Sequence, residues 1–190
     1  MRITYNLCLL LCLLTVLLGG CGQKDPAAGS KPASETSSDG QDAGSPAPVS
    51  FEARTLDGTS VSADLFADTK LTMVNVWATY CGPCLNEMPG LGELPALYAP
   101  EDFQLIGIIS DVTEDADDAI LQNAAELVEQ TGAGYSHLLL NDSLYTALLT
   151  DVSAVPTTFF IDQNGQILDT VIGAMERSAW EEKINALLEQ

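Results

Sequence analysis

The sequence predicts an α/β domain built on a mixed central sheet with helices on both faces, and three observations carry that prediction. Two near-continuous apolar runs, residues 70–77 (KLTMVNVW) and 103–109 (FQLIGII), read as strands buried on both faces. Segments of helical period follow each of them, which gives a β-α-β-α order. An Asn164-Gly165 pair between two further β-rich runs then marks an antiparallel hairpin near the C-terminus.

The first twenty residues stand apart from that fold. Arg2 gives a minimal positive start, and residues 7–18 form an apolar run of about twelve residues, short of the ~20 needed to span a bilayer. The run ends in Leu18-Gly19-Gly20-Cys21, and small residues directly before a cysteine resemble the bacterial lipobox. That resemblance implies a lipoprotein signal peptide over 1–20, with Cys21 lipidated and heading the mature chain. Residues 21–49 are dominated by Gly, Ser, Ala, Pro, Asp and Glu and hold no large apolar side chain before Val49. Such a segment cannot offset its ordering entropy by burial, so it reads as a tether with a reach on the order of 30 Å.

Charge excludes one class of partner. Seven Lys and Arg face 27 Asp and Glu, a net of −20, and removing the first twenty residues leaves −21. Nucleic-acid binding draws on Lys and Arg displacing counterions, so none is expected. Solubility is the simplest reading of the charge, and a basic partner surface is the other.

Residues 50–190 are long enough for one domain with a full core. After the first strand, a helix is expected over 83–98, kinked or split by Pro89 and Pro95. The second strand leads through an Asp-rich turn into a helix carrying Ile120, Leu121, Ala124, Leu127 and Val128, with Gly132 as its stop. A short strand over 137–140 and a brief helix over 144–149 follow. Strands 157–162 and 166–172 flank the Asn-Gly turn. Ser178 and Glu181 have capping-box spacing ahead of a stripe of Trp180, Ile184, Leu187 and Leu188, which predicts a terminal helix.

The cysteines carry the chemistry. Cys8 and Cys12 lie in the leader and Cys21 at its end, so only Cys81 and Cys84 remain in the domain. A C-x-x-C pair in an exported chain is a redox dithiol, half of a metal site or an inert short-loop bridge. Structural zinc needs four ligands, and only these two thiols and His137 are soft or borderline donors, so no metal is expected. An inert bridge over so short a loop restricts little chain entropy. The redox use is favoured, with the Cys81–Cys84 disulfide as the only redox group and no further cofactor.

Cys81-Gly82-Pro83-Cys84 follows a buried strand and opens a helix, with Pro83 where a missing N–H costs no helical bond. Unpaired N–H groups and the helix dipole stabilise a thiolate there. Cys81 is therefore expected to attack, and Cys84, one turn in, to resolve the mixed disulfide.

The stretch Val74-Asn75-Val76-Trp77-Ala78-Thr79-Tyr80-Cys81-Gly82-Pro83-Cys84-Leu85-Asn86-Glu87-Met88-Pro89 resembles the active-site segment of thioredoxin-like proteins. Its Glu-x-Pro after the second cysteine is similar to the membrane-tethered TlpA/ResA-type thiol-disulfide oxidoreductases. Val155-Pro156-Thr157 resembles that family's cis-proline loop, which faces the dithiol and binds the partner backbone. The resemblance covers about residues 51–190 and implies a thioredoxin-like fold. It also implies an acid at Glu87 that tunes the thiols, and substrate contacts from Tyr80, Gly82, Pro83, Val155 and Pro156. Trp77 is a further candidate contact, with core packing as its other reading. Tyr80 stands where the family usually has Trp, and Asn75 where cytoplasmic thioredoxins carry a buried Asp, so that proton acceptor is absent.

The expected activity is an extracytoplasmic, lipid-anchored reductase of disulfides or sulfenic acids in other proteins. It would act as a monomer fed by a membrane electron donor. Cytochrome c maturation and repair of oxidative damage both suit one such site. A peroxiredoxin-like thiol peroxidase is an alternative. That branch resembles Pro-x-x-x-Thr-x-x-Cys with a distant Arg, and here Val74 and Ala78 hold those positions while Arg54 and Arg177 are the only arginines after the leader. A copper-binding module is the other, although that branch spaces its cysteines Cys-x-x-x-Cys; His137 would be its third ligand. His137 otherwise reads as a strand or loop residue. The acids between Asp111 and Asp118 read as a solvated helix start, with a divalent-cation site as the alternative.

Overall fold

A computed structural model describes residues 47–190. The leader, Cys21 and all but the last three residues of the tether segment lie outside the described residues. The strands are β1 (Glu52–Arg54), β2 (Ser60–Ser62), β3 (Leu71–Trp77), β4 (Phe103–Thr113), β5 (Ser136–Leu140), β6 (Thr157–Asp162) and β7 (Ile167–Ile172). The helices are α1 (Gly82–Glu93), α2 (Asp118–Thr131), α3 (Asp142–Leu144), which runs into a π-helical turn at Tyr145–Leu149, and α4 (Arg177–Leu188). No helix among the described residues is long and apolar enough to cross a membrane.

Five strands form the main sheet in the order β5-β4-β3-β6-β7. β3 pairs parallel to β4 and β4 parallel to β5, while β6 runs antiparallel to both β3 and β7. Every residue of β3 is buried, in keeping with its near-continuous apolar run. Its side chains alternate between two packed layers. Val74 and Val76 meet Phe66, Leu144, Leu148 and Phe159 on one face, under α3 and a 3-10 turn over Ala63–Asp68. Leu71, Met73 and Trp77 face α1, α2 and α4, where Met88, Leu91, Ala124, Trp180 and Ile184 are buried. Asn75 shares that second face and is a polar residue inside the core.

Several expectations change in detail. Pro89 is absorbed within α1, and the helix gives way only at Leu94–Leu97, a 3-10 turn opened by Pro95. An interior proline forfeits one helical hydrogen bond and crowds the carbonyl four residues back, a cost set here against the burial of Met88 and Leu91 on either side of it. α4 begins at Arg177 with Glu176 as its N-cap, so Ser178 lies inside the helix and makes no capping box. Arg177 ion-pairs with Glu93 and Glu181, which ties the first turn down without a side-chain cap. Gly132 stops α2 as expected, at φ 66°. The β1–β2 hairpin has no counterpart in the sequence pattern, since three-residue strands leave no periodic signal. Val49 is half-buried against the core and its N–H donates to Gly165 O (2.8 Å).

Candidate active site

β3 delivers the chain to the reactive turn. The Cys81 N–H donates to Ala78 O (3.0 Å), and Thr79 is pinned by Asp111 at the far end of β4, to which its N–H (3.0 Å) and hydroxyl (2.5 Å) both donate. Cys81 is the N-cap of α1, and Gly82 and Pro83 form its first turn. The Cys84 N–H donates to Cys81 Sγ (3.2 Å). An orphan N–H at a helix start thus points at the sulfur, the arrangement that favours thiolate over thiol.

Cys81 and Cys84 are joined as a disulfide. Cys81 retains 6% of its surface and Cys84 none, so an incoming sulfur reaches Cys81 first. Across from it the Val155–Pro156 peptide is cis, and Val155 O lies 3.7 Å from Cys81 Sγ. That loop is held by the Thr157 hydroxyl donating to Ala154 O (2.8 Å) and the Gly173 N–H donating to Pro156 O (2.8 Å). Tyr80 is 77% exposed and lines a cleft of about 240 Å³ with Tyr145, Leu149, Val152 and Val155. A larger concavity of about 1170 Å³ lies beside the β1–β2 hairpin and holds no cysteine or histidine.

Trp77 is a correction to the substrate-contact candidates. It has no exposed surface, and its indole Nε1 donates to His137 Nδ1 (3.1 Å), so it is a core residue. Because Nδ1 accepts, Nε2 carries the proton and donates to Ala133 O (2.9 Å). Both ring nitrogens are engaged in the interior, and neither is free to join the cysteines as a metal ligand. No group of three or more His, Cys, Asp or Glu among the described residues is arranged to hold a metal ion.

His137 makes stability depend on acid. Burial lowers its pKa from 6.5 to about 4. Between those values the unfolded chain binds a proton that the folded chain refuses, so stability falls as pH drops from about 6.5 through about 4. The full loss from this group is about 3 kcal/mol. Urea unfolding at pH 7, 5.5 and 4.5 should show that decline, and His137→Gln should flatten it; an equally steep decline in the variant would remove His137 as its source.

Glu87 is not a solvated surface residue. It keeps 7% of its surface, and its carboxylate takes the Asn75 amide on Oε1 (3.1 Å) and the Met175 N–H on Oε2 (3.1 Å). The Asn75 amide also donates to Thr158 Oγ1 (3.1 Å). Burial raises the Glu87 pKa and outweighs the Met175 and Asn75 hydrogen bonds and the nearby Trp180 indole, which favour the charged form. One turn beyond Cys84 on α1, Glu87 shares that buried face of the helix. Its contribution to stability runs opposite to that of His137. The stabilisation is fully present below the ordinary glutamate range and is lost as pH rises through the raised folded value.

Three residues of this region have roles that no motif in the sequence marks. Asp111 looked like part of a solvated helix start, yet β4 extends far enough to bring it under Thr79. Met175 contributes only its backbone, and Tyr145 is placed by the turn that follows α3. A longer strand assignment for 103–113 was the one available clue.

Comparison with known proteins gives this geometry its relatives. Residues 42–188 match the redoxin family model. The chain is 31% identical over 149 residues to the Thiol:disulfide interchange protein DsbE of Escherichia coli K12, covering 77% of this chain and 74% of that one. It is 27% identical over 112 residues to the Thiol-disulfide oxidoreductase ResA of Bacillus anthracis, covering 59% and 60%. A thiol:disulfide interchange protein of the thioredoxin family from Chlorobium tepidum TLS superposes with TM-score 0.62 at 25% identity, covering 76% of this chain and 96% of the other. The names of those relatives speak of thiol-disulfide exchange, the chemistry a paired Cys81 and Cys84 can perform: the chain belongs to the redoxin family and is a thiol-disulfide oxidoreductase of the DsbE and ResA type.

Proposed function

We propose that the chain is an extracytoplasmic reductase of disulfides or sulfenic acids in other proteins, working as a monomer with the Cys81–Cys84 pair as its only redox group. The observation that carries the reading is the accessible sulfur of Cys81, the one of the pair with exposed surface, set at the N-terminus of α1 and against the loop before Pro156. In the reduced protein the Cys81 thiolate attacks a substrate disulfide sulfur. A Cys81–substrate bond forms, and the other substrate sulfur leaves as a thiolate that takes a proton. Cys84 then loses its proton and attacks Cys81, which restores the Cys81–Cys84 disulfide and releases the second substrate thiol. Two electrons pass to the substrate, and a dithiol electron donor at the membrane resupplies them. With a sulfenic acid the first leaving group is hydroxide, which departs as water.

In this scheme Glu87 accepts the proton of Cys84, which has no solvent of its own. Glu87→Gln keeps the shape of the carboxyl and removes that function. The expected result is a loss of about 10²-fold in exchange rate near neutral pH, with a flatter pH–rate profile. An unchanged profile in stopped-flow thiol exchange would leave Glu87 a purely structural acid.

Residues 1–20 serve as the signal and Cys21 as the lipid anchor, with 21–49 as the tether. Cys21→Ala should move the protein from the membrane to the soluble fraction of the cells that make it. A variant that stays with the membrane sinks the anchor. Tyr80, Gly82, Pro83, Val155 and Pro156 supply the surface the substrate meets, and the substrate belongs to cytochrome c maturation or to repair of oxidised proteins.

The direction of the reaction rests on the Cys-Gly-Pro-Cys sequence, and the reduction potential tests it. Equilibration against glutathione or dithiothreitol buffers, read by alkylation mass shift, should give a value near or below thioredoxin's, about −270 mV. A value near the strong oxidants, about −120 mV, would make the protein a disulfide former.

A further inference from the structure

Two of the large apolar side chains left exposed, Tyr80 at 77% and Tyr145 at 50%, stand beside the loop that approaches Cys81, and a third, Ile172 at 68%, lies at the end of β7 opposite Thr157. Tyr80 and Tyr145 line the cleft of about 240 Å³ that includes Val155, the residue whose carbonyl approaches Cys81 Sγ. Ile172 pairs with Thr157 and lines a second hollow of about 330 Å³. Val152 and Ser153 line both, so the two hollows adjoin. The first falls below the ~300–1,000 Å³ of a small-molecule site and the second at its lower end, a size that suits side chains of a peptide rather than a cofactor. Tyr145 opens the π-helical turn whose Leu148 and Leu149 are buried, and such turns recur at functional sites.

Charge supplies the second half of the argument. The four Lys and Arg side chains of the described residues, Arg54, Lys70, Arg177 and Lys183, are each ion-paired with a carboxylate, and none lines either hollow. Asp151 lines the Ile172 hollow, and Asp111 sits beneath Thr79, two residues before Cys81. The two hollows and the turn before Cys81 therefore carry negative charge with no cation from the described residues, on a chain of net charge −20. A field of that sign raises the encounter rate of basic segments and repels acidic ones.

We infer that the partner segment that exchanges with Cys81 is an extended stretch with an apolar or aromatic side chain beside its cysteine and Lys or Arg flanking it. The apolar side chain seats between Tyr80 and Tyr145, and the basic residues face Asp151. The inference rests on the reductase reading above and adds the chemistry of its substrate.

The test uses the reduced full chain with two disulfide peptides of equal length, one bearing Leu beside the cysteine and Lys in the flanks, the other Gly and Asp. Hydroxyethyl disulfide serves as a small neutral reference. The second-order rate should favour the basic, apolar peptide by at least about tenfold at low salt, and the preference should shrink as salt is added. Tyr145→Ser and Asp151→Lys should each lower that ratio, and Tyr145→Phe should preserve it. A wild-type ratio near one with normal turnover of hydroxyethyl disulfide overturns the inference alone, as does a ratio that neither substitution moves. Failure to reduce any of the three overturns the reductase reading and the inference with it.

Discussion

Replacing Cys81 by Ala is expected to abolish thiol exchange, by at least about three orders of magnitude, whereas Cys84→Ala should accumulate as a mixed disulfide with its partner. The asymmetry follows from position. Cys81 is the sulfur with exposed surface, and it accepts the backbone N–H of residue 84. That N–H survives the Cys84→Ala change, so the helix start still favours the Cys81 thiolate and the first attack still proceeds. What is lost is the fully buried second sulfur, the only thiol among the described residues placed to attack Cys81 from within. Non-reducing electrophoresis and intact mass after mixing with an oxidised protein substrate separate the two cases. Equal, partial loss in both variants, with no trapped adduct, would reverse the assigned order of attack.

The second large effect is structural. Gly107 lies on β4 opposite His137 on β5 and Asn75 on β3. A Cβ at Gly107 would stand 2.3 Å from His137 Nδ1, 2.9 Å from His137 Cε1 and 3.2 Å from Trp77 Nε1. The imidazole has little room to move, because Nε2 is fastened to Ala133 O and the ring lies against Tyr135. Gly107→Ala therefore pushes on the Trp77–His137 hydrogen bond itself. Overpacking and the strained bond together should cost about 3 kcal/mol, a fall in melting temperature of roughly 10 °C for a domain of this size. Thermal and urea unfolding measure it. The double variant Gly107→Ala, His137→Ala should be more stable than the sum of its two single changes, since the clashing ring is gone. A single variant within about 0.5 kcal/mol of wild type would show that β4 and β5 separate more easily than this packing implies.

How much of this was legible in advance depended on whether a residue's role was local. Cys81, Gly82, Pro83 and Cys84 announced themselves because a dithiol at a helix start is written in four consecutive positions. The strands β3 and β6 and the Gly132 stop were equally local in their patterns. The partners of Glu87 are not: Asn75 is on β3, and Met175 comes just before α4, 88 residues along the chain. No spacing rule brings those together. Ser178 misled for the opposite reason, since a capping-box pattern is local but the helix start was set by Arg177 reaching Glu93 on α1. Trp77 gave no hint of its hydrogen bond to His137, because β3 and β5 meet across β4 only in the folded sheet.

The order of strands in the sheet also governs how the protein must be assembled as it is made. β3 holds the centre, flanked by β4, which follows it closely, and by β6, which begins 80 residues after β3 ends. Until residue 157 and its successors have emerged, the N–H and C=O groups along one whole side of an entirely buried strand have no partner. Contacts of that separation form late, because a long loop must close before they are rewarded. The reactive turn is completed in the same event, since Val155 reaches Cys81 only when β6 docks beside β3. A growing or truncated chain that stops after α2 thus carries both cysteines while its central strand is still an open edge, and its safe passage depends on protection from other chains until the last third has been added.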